Sequence, residues 1–145
     1  MKISIASDHG GFLLKEQVKN HLKEKGYEII DFGTHSLDSC DYSALGIACA
    51  EAVRDGLAEK GIVICTSGEG IMISANKVKG VRCGLLYNED VAKLTRQHND
   101  CNMMALGAKF ISPSDALRYV DIFLSTEFEG GRHIRRVDII KNYEK

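Results

Sequence analysis

Short apolar runs alternate along the chain with stretches in which apolar residues recur every three or four positions. Residues 2–6 read as a strand and 7–11 as a turn. Leu14, Val18 and Leu22 fall at i, i+4 and i+8 with lysines on the other side, which predicts an amphipathic helix over 12–25, closed by Gly26. Residues 27–32 form a second strand, 33–42 a polar loop and 43–57 an alanine-rich helix. The run 61–65 is apolar and rich in β-branched side chains, the pattern of a strand covered on both faces. A glycine-containing turn leads to a helical stretch over 71–77 and then a fourth strand over 81–87. Asn88 is a capping residue, and Glu89 and Asp90 follow where a helix dipole favours acids. A fifth strand is expected at 102–106. Ser112-Pro113 starts another helix, with a hydroxyl to cap the first N–H groups and a proline where a donor would go unused. Gly130-Gly131 precede a last helix over 132–143.

Alternation of this kind specifies an α/β domain, an open, doubly wound, Rossmann-like parallel sheet of about five strands with helices on both faces. The length of 145 residues suits a single domain over 1–145, and no repeat or linker divides it. A hydrophobic share of 44% supplies enough apolar surface to offset the entropy of ordering the chain. The net charge of −1, without an extended basic stripe, argues against nucleic acid and membrane partners. The N-terminal apolar stretch is too short for a signal core and no run approaches the ~18 residues of a membrane span, so a cytoplasmic location is expected. Five cysteines, an odd number without C-x-x-C spacing, exclude a disulfide framework or structural zinc site. Cys40, Cys49, Cys83 and Cys101 read as packing residues. Cys65 has a richer context.

Ligands in doubly wound folds bind beyond the carboxyl ends of the strands, which directs attention to 7–11, 34–42, 65–70 and 97–99, with Lys109 nearby. Cys65-Thr66-Ser67-Gly68-Glu69-Gly70 joins a buried strand to a helix. Its glycines let the turn aim successive N–H groups at one point, and a helix N-terminus favours an anion or a thiolate. Cys65 can be a nucleophile, a general base or the last core residue of its strand, and position alone leaves all three open. Residue 73 is isoleucine, so G-x-G-x-x-G fails, and no G-K-[ST] follows, which disfavours nucleotide binding. An oxyanion-binding turn with Ser67 as a donor remains. Asp8-His9 at the first strand's end can serve proton transfer or phosphate binding, or Asp8 can simply cap the next helix. His98 by itself reads as a cation satisfying a helix C-terminus. Arg132 and Arg136 share one face of the last helix, where cations oppose the dipole unless an anion binds there; a solvated surface helix is the alternative. A single phosphate suits them better than nucleic acid, because no aromatics interleave. His21 reads as solvated, and His35 and His133 carry no assigned role.

The segments S-D-H-G-G-F (7–12), Y-E-I-I-D-F-G-T (27–34), D-Y (41–42), G-I-V-I-C-T-S-G-E-G-I (61–71), A-N-K-V-K-G-V-R (75–82), T-R-Q-H-N-D-C-N (95–102) and E-G-G-R-H-I-R-R-V (129–137) together resemble the ribose-5-phosphate isomerase B family. Galactose-6-phosphate isomerase subunits belong to the same larger group. The resemblance implies aldose–ketose isomerisation of ribose 5-phosphate through an enediol, in the pentose phosphate pathway, with no metal or other cofactor. It makes Cys65 the base that moves a proton between C1 and C2, with Ser67 and the backbone through Thr66, Gly68, Glu69 and Gly70 stabilising the enediolate. His98 would open the furanose ring with Asp8 at the ring oxygen. Tyr42 and Asn99 would contact hydroxyls, and His9, Arg132 and Arg136 would hold the phosphate. A homodimer or dimer of dimers with shared active sites is implied, its C-terminal helix packing on a partner subunit. The chain departs from the family pattern at four positions. Ser67 stands where threonine is usual, Glu69 puts a charge in the turn, Ser43 replaces a proline and loosens that loop, and Lys109 replaces a phosphate-reaching arginine with a point charge. These leave open a six-carbon substrate, allose 6-phosphate or galactose 6-phosphate, and a non-catalytic phosphate-binding module.

Overall fold

Five strands form one parallel sheet: β1 (Lys2–Ser7), β2 (Glu28–Asp31), β3 (Lys60–Cys65), β4 (Cys83–Leu85) and β5 (Met103–Gly107), in spatial order β2-β1-β3-β5-β4. The structure is a computed structural model and describes residues 1–144. The helices are α1 (Phe12–Glu24), α2 (Tyr42–Arg54), α3 (Glu69–Asn76), α4 (Glu89–Gln97), α5 (Pro113–Ser125) and α6 (Arg132–Tyr143). Alternation along the strands divides the core into two layers. Ile3, Ile5, Ile62, Ile64, Met104 and Leu106 meet Leu14, Val18 and Leu22 of α1 and Val120 and Phe123 of α5. On the other face Ala6, Val63, Met103 and Ala105 meet Cys49, Ala50 and Val53 of α2 and Ile71 and Ala75 of α3. Ile62 and Ile64 are fully buried, and each contributes about 1.5–3 kcal/mol. Cover on both faces is why 61–65 reads as an unbroken apolar run.

The connections out of β1 and β3 run to opposite sides of the sheet, so the loops after these two strands part and leave a crevice at the carboxyl edge. The register pairs Ser7 with Ile64, which sets Asp8 beside Cys65 at the mouth of that crevice.

Several local expectations are corrected. Helix α2 begins at Tyr42 and ends at Arg54, and α3 begins at Glu69. Ser43 thus lies in the first turn of α2, where no loop is loosened. Strand β4 has three residues, because Val81 closes a turn with its N–H on the Val78 carbonyl at 3.1 Å. The lysines of α1 do not all face outward. Lys15 is fully buried, its ammonium 2.6 Å from Asp31 Oδ2 and 3.0 Å from Glu16 Oε1. Lys19 reaches the same Asp31 oxygen at 3.0 Å, and the Gly33 N–H donates to Oδ1 at 2.8 Å. His21 is not merely solvated, since its Nε2 lies 2.9 Å from Asp121 Oδ1 and ties α1 to α5.

Asp31 therefore clamps α1 to the edge strand β2. Burial raises its pKa, but hydrogen bonds from Lys15, the Gly33 N–H and Lys19 outweigh that and hold it below the ordinary 3.8. A carboxylate shifted down contributes stability that is complete above its unfolded value and lost as pH falls through the folded one. Asp31→Asn should cost about 3 kcal/mol by leaving a buried ammonium under-paired, whereas Lys15→Met should cost about 1 kcal/mol or less. Urea unfolding at pH 7 measures both, and the reverse order would remove the clamp from this account. The wild type should also lose its advantage over Asp31→Asn below pH 3.8.

Candidate active site

At the carboxyl edge, β3 delivers Cys65 into a turn that becomes α3. Cys65 is 5% exposed, and its sulfur accepts the Gly68 N–H at 3.1 Å. Gly68 has φ +81, and a β-carbon there would lie 2.6 Å from Leu85 Cδ1 and 2.9 Å from the Leu106 carbonyl carbon. Only glycine lets the chain turn here and aim its N–H back at the thiol. Ser67 Oγ accepts the Glu69 N–H at 3.2 Å, which leaves the hydroxyl hydrogen free to donate. Thr66 and Ser67 are exposed to the crevice side. Tyr42 packs its ring directly against Gly70, which places the phenol over the turn.

Strand β1 supplies the other wall. Asp8 is buried, and its Oδ1 accepts the N–H groups of Gly10 and Gly11 at 3.0 and 3.2 Å. The capping reading of Asp8 thus holds together with its place beside Cys65. Oδ2 makes neither of these bonds and keeps its lone pairs for a ligand. The Cys40 N–H donates to His9 Nδ1 at 3.2 Å, so His9 offers its other nitrogen as the donor. Lys109 is joined to the same edge by its N–H on the Thr66 carbonyl at 3.1 Å, and it lines a cavity of about 660 Å³ with Gly10 and Gln17. Glu69 is exposed, and it lines a smaller cavity with Ser67, Leu85 and Tyr87. As the first residue of α3 it stands where the dipole favours an acid. The remaining buried thiols are core groups: burial pushes Cys49 up to about 12 and also raises Cys83 and Cys101.

The structure does not bring His98, Asn99, Arg132 and Arg136 to this edge. Helix α4 runs back across the sheet, and His98 caps it just before β5 begins at Met103. Met103 pairs with Gly61, and Cys65 pairs with Gly107. The two levels are four residues apart along the sheet, roughly 13 Å. Arg82 donates to the carbonyls of Asn99 and Asp100 at 3.0 and 2.7 Å, and Arg96 to Asp100 Oδ1 at 2.9 Å, which fix the segment. The start of α6 is tied to the same place by the Glu129 N–H on the Gln97 carbonyl at 3.1 Å. Arg132 and Arg136 are exposed on that helix. Among the described residues no hydrogen bond, ion pair or ring contact joins this group to the Cys65 group.

His133, which the sequence left without a role, is buried and stacked on His98 with ring centroids 4.1 Å apart. Its sequence signal was the repeat of histidine beside the two arginines, too weak to distinguish from a surface residue. His98, Glu129 and His133 bring one ligand atom each within 4.8 Å of one another. Stacked rings carry their lone pairs side by side rather than toward a common point, so the trio suits mutual orientation better than chelation.

A thiol under a backbone donor, an acid and an imidazole at a sheet crevice, and an arginine pair near a second imidazole are the parts for proton transfer on an anionic substrate. Residues 3–140 match the ribose/galactose isomerase family. The chain belongs to that family. Ribose-5-phosphate isomerase B of Escherichia coli is 42% identical over 144 residues, which cover 99% of this chain and 97% of that one. The structure of ribose-5-phosphate isomerase B from Clostridium thermocellum superposes with a TM-score of 0.98 at 49% identity, covering 99% of this chain and 97% of the other. The Mycoplasma genitalium enzyme, solved with bound ribulose-5-phosphate, gives 0.94 at 41% identity, with 99% and 95% covered. As in those relatives, the parallel sheet of this ribose/galactose isomerase is flanked by helices.

Gly68→Ala tests the turn. The left-handed backbone and the two short contacts should destabilise the protein by about 2 kcal/mol and displace the N–H from the sulfur. Thermal unfolding and thiol alkylation rates measure the two effects, and an unchanged alkylation rate would break the link between turn and thiol.

Proposed function

We propose that this ribose/galactose isomerase interconverts ribose 5-phosphate and ribulose 5-phosphate through an enediol, in active sites each built from two copies of the chain. The observation that carries the chemistry is the Cys65 sulfur under the Gly68 N–H, beside Asp8 and His9 in the crevice. The names of the E. coli and M. genitalium relatives, and the ketose phosphate bound to the latter, point to the same substrate pair.

Ribose 5-phosphate enters as a furanose. Ring opening breaks the C1–O4 bond while O4 gains a proton and the O1 hydroxyl loses one, the work of His98 with Asp8. Cys65 as thiolate then takes the proton from C2, and the electron pair moves to form the C1–C2 double bond. The charge on O1 meets Ser67 and the N–H groups of the turn from Thr66 to Gly70. The O2 proton passes to O1, which carried the charge, and the same thiol returns its proton to C1, so that C2 becomes the carbonyl of the ketose. His9, Lys109, Arg132 and Arg136 hold the phosphate, whose binding energy positions the small substrate. Tyr42 and Asn99 receive its hydroxyls.

Two copies are needed because the thiol and the His98 group lie at opposite edges of one sheet. Helix α6 supports this reading: Ile134, Ile139, Ile140 and Tyr143 are exposed on it, and only His133 and Val137 are buried. A partner packed on that face would cover the apolar residues and carry the arginines to the Cys65 crevice. No helix among the described residues is long and apolar enough to cross a membrane.

Cys65→Ser should lower kcat by about a hundredfold or more, because an unactivated hydroxyl is a poor base at neutral pH. Ribose 5-phosphate assayed beside allose 6-phosphate and galactose 6-phosphate would also test the choice of substrate. Cys65→Ala and His98→Ala proteins, each inactive on ribose 5-phosphate, should recover roughly one quarter of wild-type activity after unfolding and refolding together, because half the dimers are mixed and each holds one intact site. No recovery would mean that the sites are not shared.

A further inference from the structure

The contacts around His98 reach beyond the residues given roles above. The His133 ring lies against it at 4.1 Å with an interplanar angle of only 16°. His133 is 5% exposed, and its Nε2 is buried without a hydrogen-bond partner. A buried imidazole that forgoes a hydrogen bond costs stability, so its ring face must be doing the work. Glu129 completes the group, its Oε1 3.7 Å from His98 Nε2. Burial, then the neighbouring His98, Arg132 and Arg136, hold His133 below the ordinary histidine value, with Glu129 opposing them. A neutral ring is the better platform for stacking on a second imidazole that must exchange protons.

We propose that His133 and Glu129 are positioning residues for His98, the first bracing its ring plane and the second orienting its Nε2. The proposal rests on the ring-opening role given to His98. A general acid or base loses rate steeply when its proton is misaimed by a fraction of a bond length, and His98 is otherwise held only through the backbone of its segment. The arginines on α6 reach the phosphate from the same element, so one helix would set both the anion and the proton carrier.

Conversion of the furanose and proton exchange on the open-chain ketose separate positioning from general damage. Ribulose 5-phosphate carries its phosphate on O5, cannot close a five-membered ring and is always open-chain. Ribose 5-phosphate is mostly a furanose and needs opening first. Enediol formation from ribulose 5-phosphate, read as exchange of its C1 proton with deuterated solvent, involves no ring step. His133→Ala should therefore lower conversion of ribose 5-phosphate to ribulose 5-phosphate about tenfold and that C1 exchange less than about threefold. His133→Phe, which keeps a flat face and a similar volume, should restore both, and Glu129→Gln should give a smaller loss with the same asymmetry. In the wild type the ring proton signals of His98 should carry an upfield ring-current shift that disappears in His133→Ala. Equal losses in conversion and in C1 exchange, failure of phenylalanine to rescue, or an unchanged His98 signal would each overturn the proposal. His98→Ala serves as the control on the underlying role: if it slows conversion and C1 exchange equally, ring opening is not the task of His98, whatever His133 does.

Discussion

The pairing of β1 with β3 is the constraint on which the carboxyl-edge chemistry depends. Ser7 sits opposite Ile64, and the ladder continues one step further through the Asp8 N–H to the Ile64 carbonyl at 3.3 Å. Two polypeptide turns that lead away in different directions are thereby held against each other where they part. The approach is close enough that a β-carbon at Gly11 would lie 2.6 Å from the Ile64 oxygen. Asp8, His9 and Cys65 owe their proximity to backbone hydrogen bonds rather than to one another. That separates support from reactivity: the groups that change protonation need not hold the scaffold together.

A parallel sheet also limits what one chain can gather. Every strand points the same way, so each returning helix carries its C-terminal residues to the far edge. His98 belongs to that far edge by topology, and no adjustment of its side chain spans the length of β5. The exposed apolar face of α6 is the complementary observation, a helix that buries two of its own residues and offers the rest to something else. The two-copy site proposed above would resolve both at once, because a twofold axis can bring one chain's amino edge to another's carboxyl edge.

Much of this was legible in the residues because period and punctuation are local properties. The buried run at 61–65, the Ser112-Pro113 start and the Asn88 cap each declare an element from a handful of neighbours, and the structure keeps them. Apart from the ends of elements, the errors are of one kind. Lys15 of α1 read as an outward lysine, but Asp31 reaches it from the edge strand β2. His21 read as solvated, but Asp121 lies on a distant helix. His133 read as incidental, but its partner is 35 residues away. Polar side chains take their roles from tertiary neighbours, which no periodicity encodes. The resemblance supplied the candidate residues as a set, while the tertiary arrangement divides that set between two edges.

The shallow seating of α6 has a consequence for how acid acts on the molecule. Val137 is one anchor of the helix and the uncharged His133 is the other. The folded state disfavours protonated His133, so between its lowered value and the ordinary 6.5 the unfolded segment binds the proton more readily, and docking weakens as pH falls. The same helix carries the guanidinium pair. Acid therefore slackens the seating of the segment that carries the arginines, through a group that is itself only an anchor.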